Sequence, residues 1–362
     1  MKHLIITLFL ILSIESRASL VRPGYEFARA TGMGNAFIAL ADDATSIFYN
    51  PAGLAKNKSV RFHLVDTQLL VDNMDSFTRL KNAVFDGQTE NALNPDKQSL
   101  GFSFKPTLIT PYFGLSLYSH GFGLFELQSL QGENAEVFAL NDLGAALAFG
   151  IPFSDYFSFG FGIKAIQRTS IELNKPVSEL LAELGLDSLS VTSDPWTALK
   201  RYSTVGYGFP LSAGFLITLP QVTRSSPVIQ FAATAENLGG TSFSKTGDAN
   251  APGRIDTSYH LGSLLQYPLN KKFVLNLTTD LRDQFRGLSF LKTFHTGAEL
   301  RHKFFGVRAG LSEGYATYGF SLEFPPHTKL HFSSYAKETG ENLWEKQKRF
   351  YQLQLIVGFN PL

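Results

Sequence analysis

The chain has 362 residues, 44% of them hydrophobic and only 17% charged, with a net charge of +1 and no cysteine. That balance gives no case for a nucleic-acid partner, and it excludes disulfides, thiolate metal sites and a lipidated-cysteine anchor. Mean hydropathy is close to zero, and beyond the N-terminus no run reaches the roughly 18 apolar residues of a membrane helix. Apolar content spread in this way suits a membrane β-barrel, whose lipid-facing and lumen-facing positions alternate.

Residues 1–18 read as a secretory signal. Lys2 and His3 precede an apolar core at 4–14 that is too short to span a bilayer, and Ser16-Arg17-Ala18 sets small residues at the cleavage positions. Sec-type export and removal of this segment are expected. Residues 25–55 then fail to alternate. Gly32 and Gly34 flank Met33, residues 34–40 are small and apolar, and Asp42-Asp43 offers a helix N-cap. Asn50-Pro51-Ala52-Gly53 is turn chemistry, because proline fixes φ and glycine permits positive φ. Short helices and turns ahead of a barrel predict a plug over 19–59, with Gly32, Gly34, Asp42, Asp43, Asn50, Pro51 and Gly53 as its shaping residues. The Gly-x-Gly is no nucleotide site, since no βαβ unit surrounds it.

From residue 60 to 362 the period is two. At 156–171, Phe157, Phe159, Phe161, Ile163 and Ala165 fall on one face, with Ser158, Gly160, Gly162 and Lys164 on the other. Several such segments exceed ten residues, longer than the usual soluble strand and suited to a tilted membrane strand of about 9–11. The candidate strands are 60–71, 100–119, 122–130, 137–149, 156–171, 202–219, 228–238, 255–267, 273–281, 292–302, 304–312, 315–324, 328–336 and 349–359. That makes an all-β, antiparallel transmembrane barrel of about fourteen strands. Connections after even strands are all short and the long ones all follow odd strands, as periplasmic turns and outer loops require. The sorting holds only if 100–119, which contains Pro106 and Pro111, is one broken strand; dividing it reverses most loops. In the outer loop at 177–189, Leu180, Leu181 and Leu184 at helical spacing predict a short helix over the barrel mouth.

The lumen phase carries Lys164, Glu236, Asp280, Glu299, Arg301, Arg308 and Glu323. Charges there must be paired or wet, so they read first as ion pairs between plug and wall, and second as a polar track for a ligand headgroup. The eight histidines are scattered: His295 and His302 are seven apart on opposite faces, and His327 and His331 add no cluster. No metal, no cofactor and no enzyme activity is expected.

The run ARATGMGNAFIALADDATSIFYNPAGLA, with Gly-Met-Gly, Ala-Asp-Asp and Asn-Pro-Ala-Gly-Leu inside thirty residues, resembles the opening of FadL-type outer-membrane transport proteins, most closely their PorV-like branch. Glu236-Asn237-Leu238-Gly239, Asp280 and the HTGAELRHKFFGVRAG stretch resemble the same branch. The resemblance implies a fourteen-stranded barrel with an N-terminal hatch in its lumen, in the outer membrane of a Gram-negative cell. It also implies hydrophobic ligands that enter from outside and leave sideways through a strand kink, for which Pro106 and Pro111 are the candidates because proline donates no ladder hydrogen bond. The expected surroundings are outer-membrane lipid, lipopolysaccharide and the barrel-assembly machinery. Such barrels often end on an aromatic residue, a part Phe359 would play three residues early. Two functions compete: passive uptake of hydrophobic small molecules such as long-chain fatty acids or aromatics, and a PorV-like role in secretion or surface attachment of proteins.

Overall fold

The computed structural model describes residues 26–72, 98–127, 134–176, 179, 202–223, 226–246, 250–324, 327–338, 343–345 and 347–360. The signal at 1–18 and the expected loop helix at 177–189 lie outside the described residues, apart from residue 179. The strands are β1 (Arg61–Val71), β2 (Gln98–Phe104), β3 (Thr107–Thr110), β4 (Phe113–Leu127), β5 (Asn134–Pro152), β6 (Phe157–Pro176), β7 (Ser203–Gly208), β8 (Leu211–Thr218), β9 (Val228–Glu236), β10 (Ser244–Lys245), β11 (Ser258–Pro268), β12 (Val274–Gln284), β13 (Phe294–Arg301), β14 (Phe305–Ser312), β15 (Tyr315–Phe324), β16 (Thr328–Glu338) and β17 (Gln347–Phe359). All pairings are antiparallel, and β17 returns to β1 with Phe62 opposite Phe359 and Val71 opposite Tyr351. β2 and β3 are halves of one strand, β7 and β8 of another, and β10 is a ribbon on an outer loop. The wall is therefore a closed fourteen-stranded barrel.

The count agrees with the sequence reading, but the first inner hairpin is placed differently. Pro111 does not sit inside a broken strand: Pro111-Tyr112 is the turn itself, with Thr110 opposite Phe113. His120-Gly121, expected as a turn, lies within β4 opposite Ser103 and Phe102. The cause is backbone conformation that composition does not announce. Tyr112 takes φ +70 to close the turn, while Gly121 stays in the extended ladder. The two displacements cancel in the strand count. Only Pro106 interrupts the second strand.

Alternation sorts the two faces. Phe161, Phe215, Phe320 and Leu322 face lipid with 43%, 44%, 43% and 39% exposure. Phe113, Phe149 and Phe161 form one lipid-side row with ring centroids 5.2 and 5.0 Å apart. Among the described residues no helix is long and apolar enough to cross a membrane; the strands supply the apolar band.

The core is the hatch. Helix α1 (Ala28–Thr31), helix α2 (Ser46–Tyr49) and a 3-10 helix (Pro51–Lys56) lie inside the lumen. Phe37, Ile38, Tyr49 and Leu54 are at most 2% exposed, and each such side chain contributes about 1.5–3 kcal/mol by leaving water. The expected cap is shifted: α2 starts at Ser46 after Thr45, not at Asp42-Asp43. Asp43 Oδ1 instead accepts from the Thr45 backbone N–H at 2.9 Å and from its hydroxyl at 2.6 Å. Asn50 caps the 3-10 helix, its side chain accepting from the Ala52 N–H, with Pro51 at the first position.

Candidate functional site: the hatch, its seats and the wall break

Arg29 joins a hatch turn to the barrel wall. The turn after α1 brings Asp42 and Asp43 to 2.7 and 2.8 Å from one guanidinium nitrogen. On the opposite side Arg29 donates to both oxygens of Glu299 in β13, at 2.9 and 2.8 Å. Glu299 is fully buried and also accepts from Arg308 of β14 and Asn276 of β12, each at 2.8 Å. Arg301, two positions along β13, stands 3.5 Å from Asp42. Burial works against the charged form of Arg29, yet the surrounding carboxylates outweigh it and raise its pKa. Burial likewise pushes the Asp43 carboxyl up, but Arg29 and the Thr45 donors prevail and hold it below the usual carboxylate range.

Backbone groups make the rest of the attachment. Asp280 accepts from the Phe37 and Ile38 N–H groups at 2.6 and 2.9 Å. The Thr317 hydroxyl accepts from Gly34 N–H at 2.9 Å and donates to the Gly32 carbonyl at 3.3 Å. Asn50 Nδ2 donates to the Ile38 carbonyl at 3.1 Å and to that of Phe215 in β8 at 3.3 Å. Thr31 donates to Gln352 of β17 at 2.9 Å. Gln352 in turn donates to the Glu26 carbonyl and to Gln68 of β1, so the hatch bridges the seam where the barrel closes.

The lumen glycines are seats rather than a watery lining. Gly34 has φ +67, and a Cβ there would stand 2.3 Å from the Leu311 carbonyl oxygen. A Cβ on Gly160 of β6 would come within 2.1 Å of Ala52 N, and one on Gly297 of β13 within 2.2 Å of the Met33 carbonyl. Hatch backbone thus lies directly on wall backbone. Inside the hatch, Gly53 approaches Ala41 in the same way.

The remaining expected residues are placed as follows. Lys164 lies 5.7 Å from the Phe48 ring centroid. Glu236 is 3.6 Å from His260, and Glu323 is 3.1 Å from Lys329. Pro106 lies between β2 and β3, where Lys105 N–H donates to the Asp66 carbonyl and Leu117 N–H donates to that of Pro106. Behind the break, Lys105 is 1% exposed with its ammonium 4.2 Å from the Phe27 ring centroid. Pro111, in its turn, belongs to no break.

Sequence reasoning missed Arg29, Lys105 and a second break at Phe209-Pro210 between β7 and β8. Arg29 had one signal, a lone cation ahead of a paired Asp42-Asp43 in a buried segment. Gly310-Leu311-Ser312-Glu313-Gly314 is a G-x-S-x-G string, and Ser312 lies 3.2 Å from His295 Nδ1. That nitrogen is also 2.7 Å from the Gly34 carbonyl, which can only accept. Nδ1 therefore carries the proton and cannot take one from the serine.

The barrel and internal hatch define the class by fold alone: a closed fourteen-stranded antiparallel barrel with an N-terminal plug in its lumen. No protein-family model and no curated protein matches the sequence. Among solved structures, the chain is similar to a TodX monoaromatic hydrocarbon channel deltaS2 mutant, with 11% identity, 94% of this chain and 99% of that one covered, and a TM-score of 0.51. A TodX deltaS2S3 mutant channel gives 12% identity, 87% and 94% coverage, and a TM-score of 0.50. At such identity the likeness is one of fold.

Proposed function

We propose that the protein is an outer-membrane barrel, exported with a cleaved signal, for passive uptake of hydrophobic small molecules of long-chain fatty acid or aromatic type. Cargo passes the plugged lumen and leaves through the wall at Pro106. The observation that carries this reading is the interrupted ladder at Lys105-Pro106, which lies against the hatch on one side and against an apolar lipid-facing groove on the other. A proline there leaves one backbone donor fewer to separate when strands part. The channels similar in fold are described as monoaromatic hydrocarbon channels, which favours an apolar cargo. Uptake of labelled oleate and labelled toluene by a deletion strain tests it. Restoration by the wild-type gene is expected; unchanged uptake of both in the deletion strain rejects it.

A PorV-like interaction barrel is the second reading, favoured by apolar side chains on the outer loops: Phe285, Phe290 and Trp344 are 91%, 63% and 66% exposed. Capture of a secreted protein on the tagged barrel supports it. Recovery of barrel-assembly and chaperone proteins alone counts against it.

A further inference from the structure

We infer that the lipid-facing wall over β4, β5 and β6 carries a binding site for one small neutral aromatic molecule, in a groove between two proline breaks. The site adds a station outside the barrel to the lateral route proposed above, but it does not require that the barrel transport anything.

The two breaks lie in one cross-strand row. Tyr118 of β4 is opposite Gly144 of β5, Gly144 opposite Ile166 of β6, and Ile166 opposite Gly208 at the end of β7. At one end of the row Pro106 accepts from Leu117 N–H; at the other Pro210 accepts from Lys164 N–H. Neither proline has a donor to return to the strand it accepts from. The groove follows this row. Its volume is about 510 Å3, within the roughly 300–1,000 Å3 of small-molecule sites.

Phe104, Leu117, Leu143, Ala165, Tyr207 and Phe209 line it beside the polar Ser119 and Gln167, and no charged side chain does. Aromatic rings stand at both ends, Phe104 beside Pro106, and Tyr207 with Phe209 beside Pro210. The groove runs across strands about 4.8 Å apart that are themselves tilted by about 35–45°. It is therefore oblique to the bilayer normal, along which acyl chains lie, so a chain crosses it without filling it. A compact ring lying flat between the terminal aromatics fills it and gains offset or edge contacts.

The floor is one backbone thick. A Cβ on Gly144 would stand 2.7 Å from the Tyr118 ring and 2.6 Å from the Ala165 carbonyl oxygen. Tyr118 packs edge-on against Phe48 of the hatch, with centroids 5.8 Å apart and planes at 80°. The occupant thus lies one peptide plane from the hatch core and continuous with the Pro106 break. A depression of about 700 Å3 elsewhere on the wall, between Phe231 and Leu311, provides the contrast. Its ladder from β9 to β14 contains no proline break.

The test uses the full chain in lipid nanodiscs with Trp196→Phe and Trp344→Phe as background. Phe209→Trp reports the groove and Phe231→Trp the contrasting depression; both replaced rings face lipid. The quencher is 4-nitrotoluene. Saturable quenching at position 209 with linear quenching at 231 is expected. Ala165→Phe, which fills the groove from its exposed lipid side, is expected to weaken the saturable phase at least tenfold. Unchanged heat-modifiable gel migration shows that the barrel is folded. Linear quenching at both positions leaves only bulk lipid in the groove and overturns the site, as does saturation at both. Toluene uptake is measured in parallel. Saturable binding with uptake unaffected by deletion rejects the transport reading and keeps the groove; uptake with linear quenching does the reverse.

Discussion

Arg29 concentrates the cost of moving the hatch into one side chain. Removing it leaves Asp42 and Asp43 without their principal partner and takes two of the hydrogen bonds from Glu299. Breaking a buried pair in this way costs about 3–5 kcal/mol, so Arg29→Ala is expected to lower stability by that order in urea unfolding of the detergent-solubilised barrel. Arg301→Ala is the contrast. Its side chain is 38% exposed and reaches Asp42 at 3.5 Å, so a loss under about 1 kcal/mol is expected. The sign of the pH response follows from Asp43. Its folded value lies below its unfolded one, so its contribution is present above the ordinary aspartate pKa of about 4 and fades as pH falls below it. The protection of the hatch amides against hydrogen exchange, taken relative to the intrinsic rate at each pH, should fall in that acid range, and Asp43→Asn should flatten the dependence. Asp280→Ala would strip the Phe37 and Ile38 N–H groups of their acceptor, at about 1–3 kcal/mol for each group left unpaired.

The strands were legible because period two is imposed by having lipid on one side and packing on the other. Two-residue turns were less so: Pro111-Tyr112 closes through a positive φ at a tyrosine, and nothing in the composition distinguishes it from His120-Gly121 nine residues on. The alternating pattern leaves the lumen-phase glycines open to a crowded or a watery lumen alike, yet Gly160 and Gly297 are where hatch backbone touches wall backbone. That difference is testable. Gly160→Val suits a strand by propensity, but its side chain would occupy the place of Ala52. The barrel is expected to stay heat-modifiable while the displaced hatch becomes open to added protease. Gly123→Val in β4, where a Cβ meets nothing within 4 Å, should leave the hatch protected. Equal protection in both variants would remove the seating role.

For the whole molecule, strand number, closure and the presence of a plug could be read from alternation, loop lengths and the non-alternating stretch before the first strand. The lumen network could not, because its partners are far apart in sequence: Arg29 and Glu299 are 270 residues distant, and no periodic signal links them. Nor was the second break visible, since Phe209-Pro210 interrupts a segment whose alternation carries straight through it. That same separation governs how the molecule can be made. The hatch precedes every strand in the chain; Asn50 reaches Phe215 on β8, but Asp280, Glu299, Thr317, Ser333 and Gln352 lie on β12 to β17. Its docking is complete only when the last third of the chain is in place, a contact pattern of very high sequence separation that slows folding. Because Gln352 ties Glu26 to Gln68 across the final seam, this contact forms only when β17 meets β1. Seating the start of the hatch and closing the ring are thus completed by the same side chain.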